Sequence, residues 1–187
     1  MTINPAPSAR RSDRSRREFE RFVAECSDGL LRTAYLIVWD LAEAEDLVQE
    51  CLLTVARRWP RVGRMDHPRA YARRVLVNLA LDGRKRRWRR RRELEASPSV
   101  LERGADEASS RRLDGIEDRS ELLPALATLP PRQRAVLVLR YFEDLSEAQV
   151  AAALGCSVGT VKSTASRGLA RLQAALSPPE PTKEQTT

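Results

Sequence analysis

Residues 145–172 restrict this chain's fold most, because LSEAQVAAALG and SVGTVKSTASRGLARL, on either side of Cys156, spell two short helices sharing one apolar seam. Ser146 can accept from the backbone N–H three residues on while Gln149 reaches back to the Ser146 N–H, a reciprocal cap that starts a helix. Val150, Ala151, Ala153 and Leu154 supply apolar contacts, and Gly155 stands where a left-handed residue closes a helix without a Cβ penalty. The chain turns at Gly155 and Cys156, and Ser157 can cap the second helix. At about 100° per residue, Val161, Ala165, Gly168, Leu169, Leu172 and Leu176 fall on its core side. The opposite side carries Thr160, Ser163, Ser166 and Arg167, flanked by Lys162 and Arg171, all able to reach phosphates or base edges. A helix-turn-helix of this kind places its second helix in a DNA groove. An ordinary helical hairpin with a solvated polar face would share the same pattern.

Charge points to the same class of ligand. The 187 residues carry a net +7, yet the excess is concentrated between Arg57 and Arg92, where fifteen basic residues face only Asp66 and Asp82. A basic stripe on an otherwise acidic chain implies a polyanionic partner. Arginine suits bidentate phosphate and guanine contacts, and it greatly outnumbers lysine here, although a GC-rich coding sequence would have the same result. With aromatic residues at only 5%, two small helical units are expected rather than one large core.

The three cysteines, Cys26, Cys51 and Cys156, are odd in number and widely spaced, which argues against a disulfide framework and for a reducing compartment. Cys26 and Cys51 lie on apolar helical faces and read as small buried hydrophobes. His67 is the sole histidine, so no recognised zinc spacing can be assembled and no cofactor is expected. It sits beside a proline in a basic loop, and no Ser, Cys or carboxylate pair can be tied to a base, so no enzyme is expected. The chain shows no apolar run of signal-peptide or membrane-span character, and it is expected in the cytoplasm with no membrane insertion.

Along the chain, residues 1–16 mix Pro, Ser and Arg without periodicity and are expected to be disordered, as is the tail, 177–187. Phe19, Phe22, Val23, Cys26, Leu30, Ala34, Tyr35 and Val38 recur at helical spacing and predict a first helix from Arg17 to Trp39. Asp40 with Glu43 opens a second helix, buried along Leu41, Ala44, Leu47, Val48, Cys51, Val55 and Trp59 and ended by Pro60. On its outer face Asp46, Gln49 and Glu50 surround Leu53, an apolar residue among carboxylates that suits a partner surface, though single exposed leucines are normal. Arg61 to His67 read as a loop. Asp66 and Pro68 then cap and open a third helix with the stripe Tyr71, Ala72, Val75, Leu76 and Leu79.

That helix runs into RKRRWRRRR, from Arg84 to Arg92, a segment that repels itself unless solvated or bound to a polyanion. Within it Trp88 can stack on an unpaired base or tuck against the bundle. Residues 93–119 turn to Ser, Glu, Asp and Gly and read as a linker. The second unit, 120–176, opens with Leu122, Leu123, Leu126 and Leu129. Pro130 and Pro131 start a helix whose Val136, Leu137, Leu139 and Tyr141 are expected to pack on the helix-turn-helix. The fold class is therefore all-α: an N-terminal three-to-four-helix bundle over 17–92 and a C-terminal helix-turn-helix domain, joined by a flexible linker.

Both halves, in this order, resemble the extracytoplasmic-function class of bacterial sigma factors, the subunits that direct RNA polymerase to promoters. The resemblance covers Glu18 to Leu176. It is carried by AEAEDLVQECLLTVARRW and HPRAYARRVLVNLALDGRKRR in the first half and by LPPRQRAVLVLRYFEDLSEAQVAAALGCSVGTVKSTASRGLARL in the second. GLARL and the Arg-rich background look most like the SigE-type subgroup. The resemblance implies that Asp46, Gln49, Glu50 and Leu53 dock on the clamp helices of the largest polymerase subunit, with the second unit on the flap of the second-largest. It implies that Arg61, Arg64, His67, Arg74 and Asn78, with Arg84, Lys85, Arg86, Arg87 and Trp88, read and melt the minus-ten element, Asn78 lying near a pocket for a flipped base. Thr160, Lys162, Ser163, Ser166, Arg167 and Arg171 match the helix that reads the minus-thirty-five element. The family's helix often has an arginine where this chain has Thr164. A short connection between the halves implies an alternative-promoter specialist, and the class implies an anti-sigma partner.

Taken without that resemblance, the residues leave two other readings open. A free-standing regulator would use the first unit to dimerise or sense a signal, with palindromic half-sites. Alternatively, RKRRWRRRR could serve as an RNA-binding arm. The acidic face of the second helix would have no role on nucleic acid in either.

Overall fold

The computed structural model describes residues 7–94 and 122–177, with side chains over 13–82 and 122–177. The expected linker, apart from its first two residues, and the remainders of both termini lie outside the described residues. Every described element is helical: α1 (Pro7–Val38), α2 (Leu41–Val62), α3 (Pro68–Leu94), α4 (Leu122–Ala127), α5 (Pro131–Leu137), a π-helical turn (Val138–Phe142), α6 (Glu147–Leu154) and α7 (Val158–Leu176).

Helix α1 begins at Pro7, ten residues ahead of the expected Arg17, so the segment expected to be disordered is helical from that point. Its first turns have no apolar stripe. They are laced instead by exposed i,i+4 ion pairs, Asp13–Arg17 at 2.8 Å, Arg14–Glu18 at 3.0 Å and Arg16–Glu20 at 2.8 Å, each contributing a few tenths of a kcal/mol. Trp39 then ends the helix with φ at 60°, a left-handed conformation unusual for a bulky residue, and its ring stacks on Tyr35 at 5.3 Å. Asp40 caps α2 as expected, its carboxylate accepting the Glu43 N–H at 2.8 Å.

Pro60 does not end α2, which continues to Val62. The proline is exposed and lies in the final turn, so it removes a single hydrogen bond close to the helix end. Continuing the helix seats Trp59 against Phe19 and Phe22, with ring centroids 5.2 and 5.0 Å away. The connection is correspondingly shorter than expected, and Arg61 belongs to the helix. The His67 carbonyl accepts the Tyr71 N–H, which makes His67, rather than Asp66, the residue at the start of α3. Helix α3 continues through the basic run to Leu94. Besides Ala72 and Leu76, it buries Val77 and Ala80, a wider arc than one stripe, because it has neighbours in both units.

In the second unit Pro130 and Pro131 open α5 as expected. Helical periodicity then directs Tyr141 inward, but the structure leaves it 56% exposed. The cause is the π turn: the Glu143 N–H reaches the Val138 carbonyl five residues back at 3.1 Å, and the widened loop turns Tyr141 outward, while Val138 is buried beside Leu139, which packs inward as expected. The two units are not separate bodies. Helix α3 packs on α6, α1 packs on α5 and the π turn, and buried residues from Phe22 to Val161 form one continuous core. Arg134 is buried with it at 2% exposure and donates to the Leu129 carbonyl at 3.3 Å.

Candidate nucleic-acid interface

The helix-turn-helix is built by the local bonds its sequence offers. Gln149 N–H donates to Ser146 Oγ at 3.2 Å while the Ser146 N–H donates to Gln149 Oε1 at 2.8 Å. Gly155 adopts φ 62°, ψ 40° and returns its N–H to the Ala151 carbonyl. Ser157 Oγ accepts the Thr160 N–H at 3.1 Å and lies 2.9 Å from the Thr160 hydroxyl, so Thr160 is engaged in the cap and only partly open.

Beyond the cap, Val161, Thr164 and Gly168 form the buried line of α7. Thr164 is 5% exposed, so the position where the resemblance suggests an arginine faces the core in this chain. Leu169 and Leu176, expected inside, are 41% and 42% exposed, while Leu172 is half-buried. The opposite face brings together Lys162, Ser163, Ser166, Arg167 and Arg171, all exposed. Arg167 Nε donates to the Ser163 carbonyl at 3.1 Å, which steadies the guanidinium along the helix and leaves its Nη groups for a ligand. Lys162 Nζ lies 3.6 Å from Glu147 of α6, an exposed pair that solvent and salt weaken.

A second basic surface lies at the α2–α3 corner. Arg61, Arg64 and His67 are exposed around the turn, and Arg74 and Asn78, one helical turn apart, are exposed along α3. The side chains of Arg84, Lys85, Arg86, Arg87 and Trp88 lie outside the described residues. Met65 is exposed in this turn, an apolar group that its position between Arg64 and Asp66 could have flagged. On α2, Asp46, Gln49, Glu50 and Leu53 form one outer stripe, with Leu53 58% exposed. No helix among the described residues is long and apolar enough to cross a membrane, and none of their His, Cys, Asp and Glu side chains group as a metal site would.

Two residues important to the arrangement carry no sequence signal. Arg134 sits in a charged stretch and gives no hint of burial. Glu143 joins the units: its carboxylate pairs with Arg73 of α3 at 2.7 Å and accepts from the Thr33 hydroxyl of α1.

A helix-turn-helix with an open polar face, beside a bundle carrying separate basic and acidic stripes, defines a DNA-binding protein equipped for a protein partner as well. Comparison with known proteins specifies which. Residues 22–90 match the family model for sigma-70 region 2, and residues 119–172 match that for sigma-70, region 4. The RNA polymerase sigma-E factor of Streptomyces avermitilis is 40% identical over 156 residues, covering 83% of each chain. The ECF RNA polymerase sigma factor SigE of Mycolicibacterium smegmatis is 33% identical over 159 residues, covering 83% of this chain and 60% of its own. Among solved structures, the sigma factor RpoE of Bartonella quintana, crystallised with the anti-sigma factor NepR, superposes with a TM-score of 0.67 at 26% identity, covering 84% of this chain and 96% of that one. The chain belongs to the sigma-70 family as an alternative sigma factor of the extracytoplasmic-function type, acting in transcription initiation. Sigma factors are not enzymes; they select promoters by binding.

Proposed function

We propose that this sigma factor divides its work among three surfaces. The α2 stripe of Asp46, Gln49, Glu50 and Leu53 docks on the clamp helices of the largest polymerase subunit, the carboxylates providing charge complementarity and Leu53 the apolar anchor. Arg61, Arg64, His67, Arg74 and Asn78, with the basic run from Arg84 to Trp88, engage the minus-ten element. Arginines hold phosphates of the separating strands, while the Asn78 amide offers a donor and an acceptor to a flipped base. The outer face of α7, from Thr160 to Arg171, reads the minus-thirty-five element, and the second unit also rests on the flap of the second-largest subunit. Binding energy drives strand opening, with no catalytic group required.

The observation that carries this reading is the acidic, leucine-centred stripe on α2, fully open on a chain otherwise equipped for nucleic acid. A free-standing regulator has no use for it. By analogy with RpoE, solved with NepR, this chain also takes an anti-sigma partner, and its place of action is the cytoplasm. The test is size-exclusion chromatography of the full chain with core RNA polymerase. Co-elution, abolished by Asp46→Ala with Glu50→Ala, supports the assignment, whereas free elution with retained DNA binding would move the function to a stand-alone regulator.

A further inference from the structure

Helix α1 overshoots the bundle at its N-terminal end. Apolar packing begins at Phe19, where the Phe19 and Phe22 rings meet Trp59 of α2 at centroid distances of 5.2 and 5.0 Å. From Asp13 to Glu18 the helix is polar on every side and is held by its own i,i+4 ion pairs rather than by burial. Within this stretch and the turn after it, Arg14, Arg17 and Arg21 stand at i, i+3 and i+7, so they share one face. All three are exposed, and that face is turned away from buried Phe22, Cys26 and Leu30. Arg14 meets Glu18 through Nε and Arg17 meets Asp13 through Nη2, so each guanidinium is oriented while keeping its other donors for a ligand. Arg21 has no ion-pair partner among the described residues.

Glu25 fixes where this face looks. It follows Arg21 by one turn on the same side of α1, and its carboxylate accepts from Arg69 Nη2 of α3 at 2.9 Å. Arg69 stands two residues beyond His67, and Trp59 stands two residues before Arg61. The arginine stripe therefore runs out beside the corner that carries Arg61, Arg64 and His67, and continues its basic surface. From Arg14 to Arg21 the helix axis advances about 10 Å at 1.5 Å per residue, the length of about three nucleotides of one DNA strand at 3.4 Å each. Three forked cations beside about three phosphates match in sign, spacing and donor geometry. Continuity with the basic corner selects a nucleic acid strand as the occupant rather than an acidic protein.

We propose that Arg14, Arg17 and Arg21 form a phosphate rail for the DNA strand that passes the minus-ten corner. The inference rests on the minus-ten assignment of Arg61, Arg64 and His67 and extends it onto α1. The match to sigma-70 region 2 begins at residue 22, so the rail lies ahead of the part of the chain that the family model describes. Phosphate contacts carry no sequence information. The rail adds to affinity and to its salt dependence, and choice of sequence stays with Asn78 and the corner.

Fluorescence anisotropy of the full chain with a fluorescein-labelled fork DNA, a duplex continued by a single-stranded overhang, tests the rail at several salt concentrations. The triple variant, Arg14→Gln with Arg17→Gln and Arg21→Gln, keeps good helix formers. It is expected to bind the fork more weakly, with a slope of log affinity against log salt shallower by about two. Its helical circular dichroism and its affinity for core polymerase are expected to match wild type. Lysine at all three positions keeps the charge and is expected to restore the slope. Arg16→Gln with Arg32→Gln takes charge from another flank and from the far end of the same helix, and is expected to leave the slope within about 0.5 of wild type. A wild-type chain that does not bind the fork, a triple variant with the wild-type slope, or a control that loses as much per charge would each overturn the rail. Lost polymerase affinity with fork binding intact would make the stripe a protein contact and overturn it too. Arg61→Gln with Arg64→Gln separates the two readings. If that variant binds the fork like wild type while the triple variant is weakened, the minus-ten assignment fails and the rail stands; the reverse result removes only the rail.

Discussion

Gly168 of α7 faces Leu137 of α5 so closely that a Cβ built on the glycine would lie 3.2 Å from Leu137 Cδ1 and 3.3 Å from its Cγ. A glycine within a helix costs about 1 kcal/mol relative to alanine, and here that cost allows the reading helix to seat on its support. Gly168→Val therefore forces the two helices apart and is expected to destabilise the chain by about 1–3 kcal/mol. Gly168→Ala, in which better helix propensity offsets the tight contact, is expected to stay near neutral. Urea denaturation of both variants checks the pair; equal stability of the valine variant and wild type would show that the contact is not tight in solution.

The outer stripe of α2 separates polymerase binding from DNA binding. Leu53→Asp is expected to weaken association with core polymerase at least tenfold, as loss of a central apolar anchor does. It should leave thermal stability within about 0.5 kcal/mol of wild type, since Leu53 is an exposed surface position. A fluorescence titration against core enzyme reads the first quantity and a melting curve the second.

On α7, Arg167 is free to reach a base edge or a phosphate. If it reads a base, Arg167→Ala costs about 1 to 3 kcal/mol at the upstream element and relaxes specificity there. If it holds a phosphate, all sequences weaken alike and the salt slope falls by about one. Footprints at several salt concentrations decide between these, and no change in either quantity would remove Arg167 from the interface.

The cysteines provide a chemical test of the core. Burial pushes the Cys51 thiol up to about 12, with the neighbouring Cys26 adding to the rise, and Cys51 Sγ donates to the Ala72 carbonyl at 3.2 Å. Burial also raises Cys26. Alkylation of the folded chain at pH 8 is expected to label half-buried Cys156 first and to spare both buried thiols until denaturant is added. Cys51 should also make stability fall as pH rises from its ordinary value of 9.0 toward 12, because the unfolded chain ionises first and the folded chain cannot follow. Denaturation midpoints across that range, compared with Cys51→Ala, should show a shallower fall in the variant.

What the sequence made legible is what neighbouring residues decide among themselves. Asp40, Ser146, Gly155 and Ser157 all cap or close helices where their side chains or φ preferences lead, because each acts within a few residues. The outer faces of α2 and α7 were legible for the same reason, since periodicity assigns a surface without reference to partners. Longer-range features escaped. Pro60 stays helical because Trp59 has two phenylalanines to pack against, and neither is near it in sequence. Leu169 is left exposed because α5 covers α7 only along the line through Gly168. Glu143 reads as an ordinary loop carboxylate until α1 and α3 are brought to it.

The π turn from Val138 to Phe142 bears on how such chains can change over time. An extra residue held in one widened loop is an insertion that the helix has absorbed without lengthening the connection around it. Adding one residue to a regular α-helix would rotate everything downstream by about 100°, whereas the widened loop takes up its extra residue locally. Glu143 therefore stays on Arg73, and α7 keeps its placement against the bundle. A change of one codon in chain length can thus be accommodated in a single turn while the angle between the two halves is preserved.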